Sequence, residues 1–270
     1  MAEDRFQLRG KVALVTGGAG ILGRRFCRGL AEHGADVAIV DIDADGAKRL
    51  AEEIARDTGR HTLPVACDLR DPDAVRRMTE TVLARFGRID VLHNNAAGKS
   101  SDLDAFFASF EDYSLTQWRE IMAIDLDAMF LVAQSVGKHM VERGGGSVIQ
   151  TASIYGVVGA DQRIYAGSEY NGRPINTPAV YAAAKAGVIG LTRHLAAYWA
   201  PHGIRVNALT PGGVESGQND TFKRNYANRV PLGRMAAPDE MVGALVYLAS
   251  DASSYMTGQN IVVDGGLTAW

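Results

Sequence analysis

Cysteine is scarce, and so is any pattern that would hold a metal. Only Cys27 and Cys67 occur among 270 residues. Both sit in apolar segments without metal-like spacing, which excludes a disulfide framework and makes a reducing cytoplasm the default compartment. The six histidines form no pair at ligand spacing, so no metal site is expected. A strong charge of one sign is also missing. The 28 Lys and Arg stand against 31 Asp and Glu, for a net charge of -3, which gives no reason to expect nucleic acid or an anionic membrane as partner. No apolar run approaches the roughly 20 residues that span a bilayer. The opening stretch, MAEDRFQLRG, is charged and lacks the apolar core of a secretory signal.

What the chain does have is ample material for one core, since 47% of its residues are hydrophobic. Short apolar runs alternate with helical patterns. KVALVT (11–16), DVAIVD (36–41), HTLPVACDL, IDVLHNNA, GSVIQTAS, IRVNALTP and QNIVVDGG read as strands, and amphipathic or apolar helical stretches lie between them. Asp71 followed by Pro72 marks one helix start. SLTQWREIMAIDLDAMFLVAQSVGKHMVERG reads as one long helix. The alternation predicts an α/β fold: a single doubly wound, Rossmann-type domain over 1–270, with a mostly parallel seven-stranded sheet and helices on both faces. Two segments, 157–178 and 211–235, resist the pattern. Each follows a strand and so can reach the carboxyl edge of the sheet, where such folds bind ligands.

After the first strand comes TGGAGILG, residues 16–23, and then a helix. Gly17, Gly20 and Gly23, with Ile21 and Leu22 between the last two, permit a tight turn and a close approach of backbone to a pyrophosphate, which the helix N-terminus attracts. A glycine-rich turn without a ligand is the plain alternative. The second strand ends in Asp41, 18 residues after Gly23, about where an acid takes the ribose hydroxyls of NAD. A carboxylate there repels the extra phosphate of NADP, and the neutral Ile42 supplies no compensating charge. NAD is the expected cofactor.

Tyr181 and Lys185 lie four apart in YAAAK and share one face of a helix. A tyrosine with a pKa near ~10 is a poor base, but a neighbouring ammonium and a cationic nicotinamide favour its phenolate. It can then accept an alcohol proton while hydride leaves, and the hydroxyl of Ser153 can orient the same oxygen. TGGAGILG, Asp41, Asp68 in CDL, NNAA at 94–97, Ser153, YAAAK, PGGVES at 211–216 and the ending GQNIVVDGG occur in one order. In that order they resemble the short-chain dehydrogenase/reductase family over nearly the whole chain. The resemblance implies Ser153, Tyr181 and Lys185 as catalytic residues, with Tyr181 and Lys185 also counted among the cofactor-binding residues and Lys185 expected to hold ribose hydroxyls. It implies Asp68 and Leu69 near adenine, and Asn95, Ala96 and Ala97 beside the adjacent ribose. Pro211, Gly212, Val214 and Ser216 are implied near the nicotinamide. A homotetramer or dimer is implied as well.

The chain departs from the family pattern in three places, one of which is Ser216, which replaces the threonine of PGxxxT and keeps the hydroxyl. TGGAGILG follows TGxxGxxG, similar to nucleotide-sugar epimerases and dehydratases, rather than the TGxxxGxG of the main branch. Where the family carries a fourth catalytic residue, an asparagine, IDLDA places Asp125. Asp125 is read either as a proton-relay member or as a helix residue with a backbone role. Three functions follow. The leading one is an NAD-dependent oxidoreductase interconverting a secondary alcohol and a ketone. The second is an epimerase or dehydratase with bound NAD, although such enzymes resemble longer chains with an added C-terminal domain. The third is a non-catalytic NAD-binding protein, against which the intact Ser153, Tyr181 and Lys185 argue.

Ser153 precedes Tyr181 by 28 positions, more than is usual in the family, so 157–178 reads as an insertion at the mouth of the site. Its Gln162, Arg163, Glu169, Asn171 and Arg173 are candidate substrate contacts, suited to a polar, polyhydroxylated, sugar-like molecule. With the long segment 99–118, the insertion resembles a bacterial subgroup associated with surface-sugar biosynthesis, including flagellin glycans. A solvent loop or an oligomer contact is the alternative for the insertion.

Overall fold

The structure is a computed structural model and describes residues 4–270. Nine strands form among the described residues: β1 (Val12–Thr16), β2 (Asp36–Asp41), β3 (Thr62–Ala66), β4 (Val91–Asn94), β5 (Gly146–Thr151), β6 (Glu169–Tyr170), β7 (Arg173–Pro174), β8 (Ile204–Pro211) and β9 (Asn260–Val263). Seven of them make one sheet in the order β3-β2-β1-β4-β5-β8-β9. Every pairing in it is parallel, so the sheet is wholly rather than mostly parallel. The short β6 and β7 pair antiparallel on their own.

The helices are α1 (Ile21–Glu32), α2 (Ala44–Thr58), α3 (Pro72–Phe86), α4 (Leu103–Phe106), α5 (Leu115–Met122), α6 (Ala128–Arg143), α7 (Ala179–Trp199), α8 (Asp220–Ala227) and α9 (Val242–Ala249). They cover both faces of the sheet, which is why the inner strands are apolar along their whole length rather than alternating. All five residues of β1 are buried. Its Ala13 and Val15 pack with Phe26, Leu30 and Leu245, while Leu14 faces the other way, with Val82, Val132 and Val148. Side chains two apart share a face, so a single strand feeds two cores. Asp71 caps α3 by accepting the N–H of Asp73 at 2.9 Å, with Pro72 as the first helical residue.

The chain winds outward from β1 through β2 to β3, then returns to place β4 on the other side of β1. The carboxyl ends of β1 and β4 therefore diverge at a topological switch point, which opens a crevice. One expected element is split. The long helix over 114–143 is interrupted between α5 and α6 by a π-type turn, Ala123–Asp127. There the Ala128 N–H reaches back five residues to the Ala123 carbonyl. Such a bulge re-aims side chains within a helix, and here it carries Asp125 inward.

Candidate active site

A cleft of about 940 Å³ runs along the carboxyl edge of the sheet, from Asp41 at one end to Ser153, Tyr181 and Lys185 at the other. Gly17 opens the loop at one end with φ +62°, a left-handed conformation that glycine adopts without strain. A Cβ on Gly23 would sit 1.9 Å from the Gly17 carbonyl oxygen, so only glycine lets α1 start this close to the turn. Gly20 caps α1 without a side-chain acceptor, leaving the first N–H groups of the helix free for an anion. Asp41 closes the crossing. Its Oδ2 accepts the Ala19 N–H at 2.9 Å and its Oδ1 the Asp43 N–H at 3.0 Å.

The cleft wall also includes Ile21, Leu22 and Ile42, then Asp68 and Leu69, and then Asn95, Ala96 and Ala97. Pro211, Gly212, Val214 and Ser216 line its far side. Thr16 ties two of these segments together. Its hydroxyl accepts the N–H groups of Asn95 and Ala96 at 2.9 and 3.1 Å. This glycine cradle, the uncapped helix start and an acid at the end of β2 fit a dinucleotide.

At the other end, Ser153 follows β5 in extended conformation, 7% exposed. Its hydroxyl accepts the Tyr155 N–H at 3.3 Å and shares the cleft wall with Tyr181, which lies in the first turn of α7. Burial pushes the Tyr181 phenol up to about 12, and the neighbouring Ser153 hydroxyl opposes the rise. Lys185, one turn on and 1% exposed, holds its Nζ 5.7 Å from the Tyr181 ring centre and donates to the Thr151 carbonyl at 3.2 Å. Burial lowers the affinity of Lys185 for its proton, and facing Asp125 partly restores it. The free protein therefore holds Tyr181 as a neutral phenol.

Asp125 is fully buried and does not line the cleft. Its Oδ1 accepts the Gly98 N–H at 2.9 Å, while Oδ2 has no hydrogen-bond partner among the described residues. Burial raises its carboxyl pKa, and Lys185 pulls it back. Both readings of Asp125 meet in this geometry, because it holds the backbone of the loop after β4 and also faces the lysine of the site.

The candidate substrate residues take up other positions, and none of the five lines this cleft. Arg173 pairs with Asp104, and Arg163 pairs with Asp161. Gln162 donates to the Thr177 carbonyl at 3.3 Å, and Glu169 is exposed. Asn171 has φ +52° and Gly172 φ +73°. Together they form the two-residue turn that joins β6 to β7, a role for which Asn-Gly is the preferred pair.

The insertion is instead a structured brace. Ile164 is buried against Phe222, Tyr226 and Val230 in and after α8. Asn225 donates to the Ala166 carbonyl at 3.0 Å, Arg229 pairs with Asp161 at 3.0 Å, and Asn176 donates to the Phe107 carbonyl at 2.9 Å. The insertion thus joins the segment around α4 to α8, and this excludes a free solvent loop. Sequence reasoning passed over Lys99, Ser101 and Glu120, which all line the cleft. They follow the Asn-Asn-Ala-Ala run or sit on α5, and no local pattern marks them.

Comparison with known proteins agrees with this geometry. A family model described as enoyl-(acyl carrier protein) reductase matches residues 17–268. The chain is similar to a D-threitol dehydrogenase of Mycolicibacterium smegmatis, 38% identical over 97% of this chain and 95% of that one. It is 34% identical to a 2-dehydro-3-deoxy-D-gluconate 5-dehydrogenase of Escherichia coli, with both chains fully covered. Among solved structures it resembles a gluconate 5-dehydrogenase from Burkholderia cenocepacia in complex with NADP and tartrate. That match has a TM-score of 0.86 and 36% identity, covering 99% of this chain and 98% of the other.

Proposed function

This chain belongs to the short-chain dehydrogenase/reductase family, an oxidoreductase family that uses a nicotinamide cofactor, and from that premise we propose that it oxidises a secondary alcohol of a polyhydroxylated, sugar-like substrate to the ketone, with NAD as the favoured cofactor. One observation carries the proposal: a single cleft joins the glycine loop and Asp41 to Ser153, Tyr181 and Lys185. The similarity to threitol and gluconate-type dehydrogenases supports the substrate class. Asp41 supports NAD, although a similar enzyme was solved with NADP.

When bound, the nicotinamide accepts or returns the hydride. The residues of the chain do the rest. Gly17, Gly20 and Gly23 hold the pyrophosphate, Asp41 the adenine ribose, and Asp68 and Leu69 the adenine edge. Asn95, Ala96, Ala97, Pro211, Gly212, Val214 and Ser216 shape the remainder of the pocket. Ser153 fixes the substrate oxygen. Tyr181 takes its proton during oxidation and returns it during reduction. The neutral phenol of the free protein is already in the donor form, so oxidation gains from rising pH and reduction loses. Lys185 holds the Thr151 carbonyl and favours the phenolate as Tyr181 ionises, and Asp125 keeps the lysine charged.

A reducing cytoplasm is supported by Cys27 and Cys67, both buried as free thiols. A homo-oligomer is supported by Leu115 and Phe130, apolar yet exposed on α5 and α6. A panel of polyols, sugars and sugar acids with NAD and NADP, read at the NADH absorbance, tests the main reading. Turnover of simple hydrophobic alcohols alone would overturn the substrate class, and absence of any turnover would overturn the activity.

A further inference from the structure

The cleft carries three basic side chains, and two of them have acidic company. Arg70 pairs with Asp68 at 2.7 Å, and Lys185 faces Asp125. The third, Lys99, has no carboxylate partner among the described residues. What it meets is the face of Tyr170, with its Nζ 4.6 Å from the ring centre. Burial lowers its affinity for its proton.

Its neighbours fix where it stands. The preceding residue, Gly98, donates its N–H to Asp125. The following residue, Ser100, is buried and donates to Glu120 Oε2 at 3.1 Å. With both flanks anchored, the loop presents Lys99 to the cleft. Tyr170 is fixed as well, because it precedes the Asn171-Gly172 turn and the Arg173–Asp104 pair. Asp125, which holds Gly98, faces Lys185 of the catalytic group, so Lys99 stands at the substrate end of the cleft rather than the adenine end. An ammonium held over an aromatic face keeps donors free on its open side. Taken from water without a counter-ion, it is completed by an anion.

We propose that Lys99, held by Tyr170, binds the carboxylate of the substrate, and that the natural substrates are polyhydroxylated monocarboxylates, the sugar-acid class, rather than neutral polyols. This inference rests on the polyol-type oxidoreductase reading above and names its substrate class. It also accounts for the insertion, whose hairpin positions the recognition residue and does not itself touch substrate.

The test uses matched pairs that differ only at one terminal carbon, D-gluconate against D-glucitol and D-galactonate against galactitol, each oxidised with saturating cofactor. The parent enzyme should favour the acid by about tenfold or more in kcat/KM, the size of one charge-assisted bond. Lys99→Met should bring that ratio close to one, chiefly through KM of the acid, and Lys99→Arg should keep most of it. Tyr170→Leu should lower the ratio part of the way. Equal or better use of the neutral polyols by the parent overturns the proposal and leaves the oxidoreductase reading intact. So does an acid preference that survives Lys99→Met. Failure to oxidise either series defeats both readings. Gluconate binding to the NADH complex, followed by calorimetry, supplies an independent readout should a variant lose kcat, and binding undiminished in Lys99→Met overturns the proposal.

Discussion

Replacing Asp41 with serine should change which cofactor the protein prefers, and the structure sets the scale. In the parent, both carboxylate oxygens are already engaged by the Ala19 and Asp43 N–H groups, at 2.9 and 3.0 Å. The charge is therefore held in one place at the end of β2. Ribose hydroxyls donating to it form charge-assisted bonds worth about 1.5–3 kcal/mol. A 2′-phosphate brought to about 5 Å would instead meet repulsion of roughly 1–3 kcal/mol, across effective dielectrics between those of water and of a protein surface. The neighbouring Ile42 is 69% exposed, so water reaches this corner and the lower half of that range applies. Asp41→Ser removes both effects. NAD binding should weaken by about tenfold or more, NADP binding should gain about fivefold, and the NADP-to-NAD ratio should move by roughly two orders of magnitude. Serine keeps one acceptor for the loop, so a stability loss of about 1 kcal/mol is expected as well. Thermal melting without cofactor separates that loss from the binding change. Calorimetric Kd values for both cofactors decide the matter. A parent that binds NADP as tightly as NAD, or a variant with an unchanged ratio, refutes the reasoning.

Tyr181→Phe should abolish turnover by at least about a hundredfold while NAD affinity stays within a few-fold, because it removes the proton acceptor and leaves the glycine loop and Asp41 in place; substantial residual kcat would count against the mechanism. Lys185→Met should damage turnover and lower stability together, since it leaves Asp125 buried without its cation; kinetics and melting of the same preparation check this. Asp125 raises the pKa of both Tyr181 and Lys185, so Asp125→Asn should move the rising limb of the oxidation pH profile to lower pH, and an unmoved profile would show that Asp125 carries no charge in the working enzyme. Replacing 157–178 with a short glycine-serine bridge should lower thermal stability, because it exposes Phe222, Tyr226 and Val230. It should also raise KM for the polar substrate while NAD affinity holds, whereas loss of oligomeric state alone would mark the segment as an interface.

Much of this protein is determined locally, and those parts are legible in the sequence. Apolar runs bounded by glycine make strands, a helical repeat makes helices, and Asp71-Pro72 starts α3 because the side chain that caps it is two residues from its partner. The Gly17–Gly23 loop and the Tyr181–Lys185 spacing are legible for the same reason, since each depends on residues within one turn. The Asn171-Gly172 hairpin is just as local and could have been read from EYNGRP. Its polar side chains suggest ligand contacts, but a turn that requires positive φ accounts for the asparagine.

Other features depend on partners distant in the chain. Whether Arg173 is free for a ligand depends on Asp104, 69 residues away. That Asp125 turns inward depends on a π-type turn and on the Gly98 N–H, 27 positions upstream. Lys99 looks like one charge among many until the fold places it against the face of Tyr170 and gives it no ion-pair partner among the described residues. A charged side chain takes whatever counter-charge the packed chain brings near. Local patterning could indicate which residues were polar, and only the tertiary structure decided which of them were left without a partner, facing the cleft.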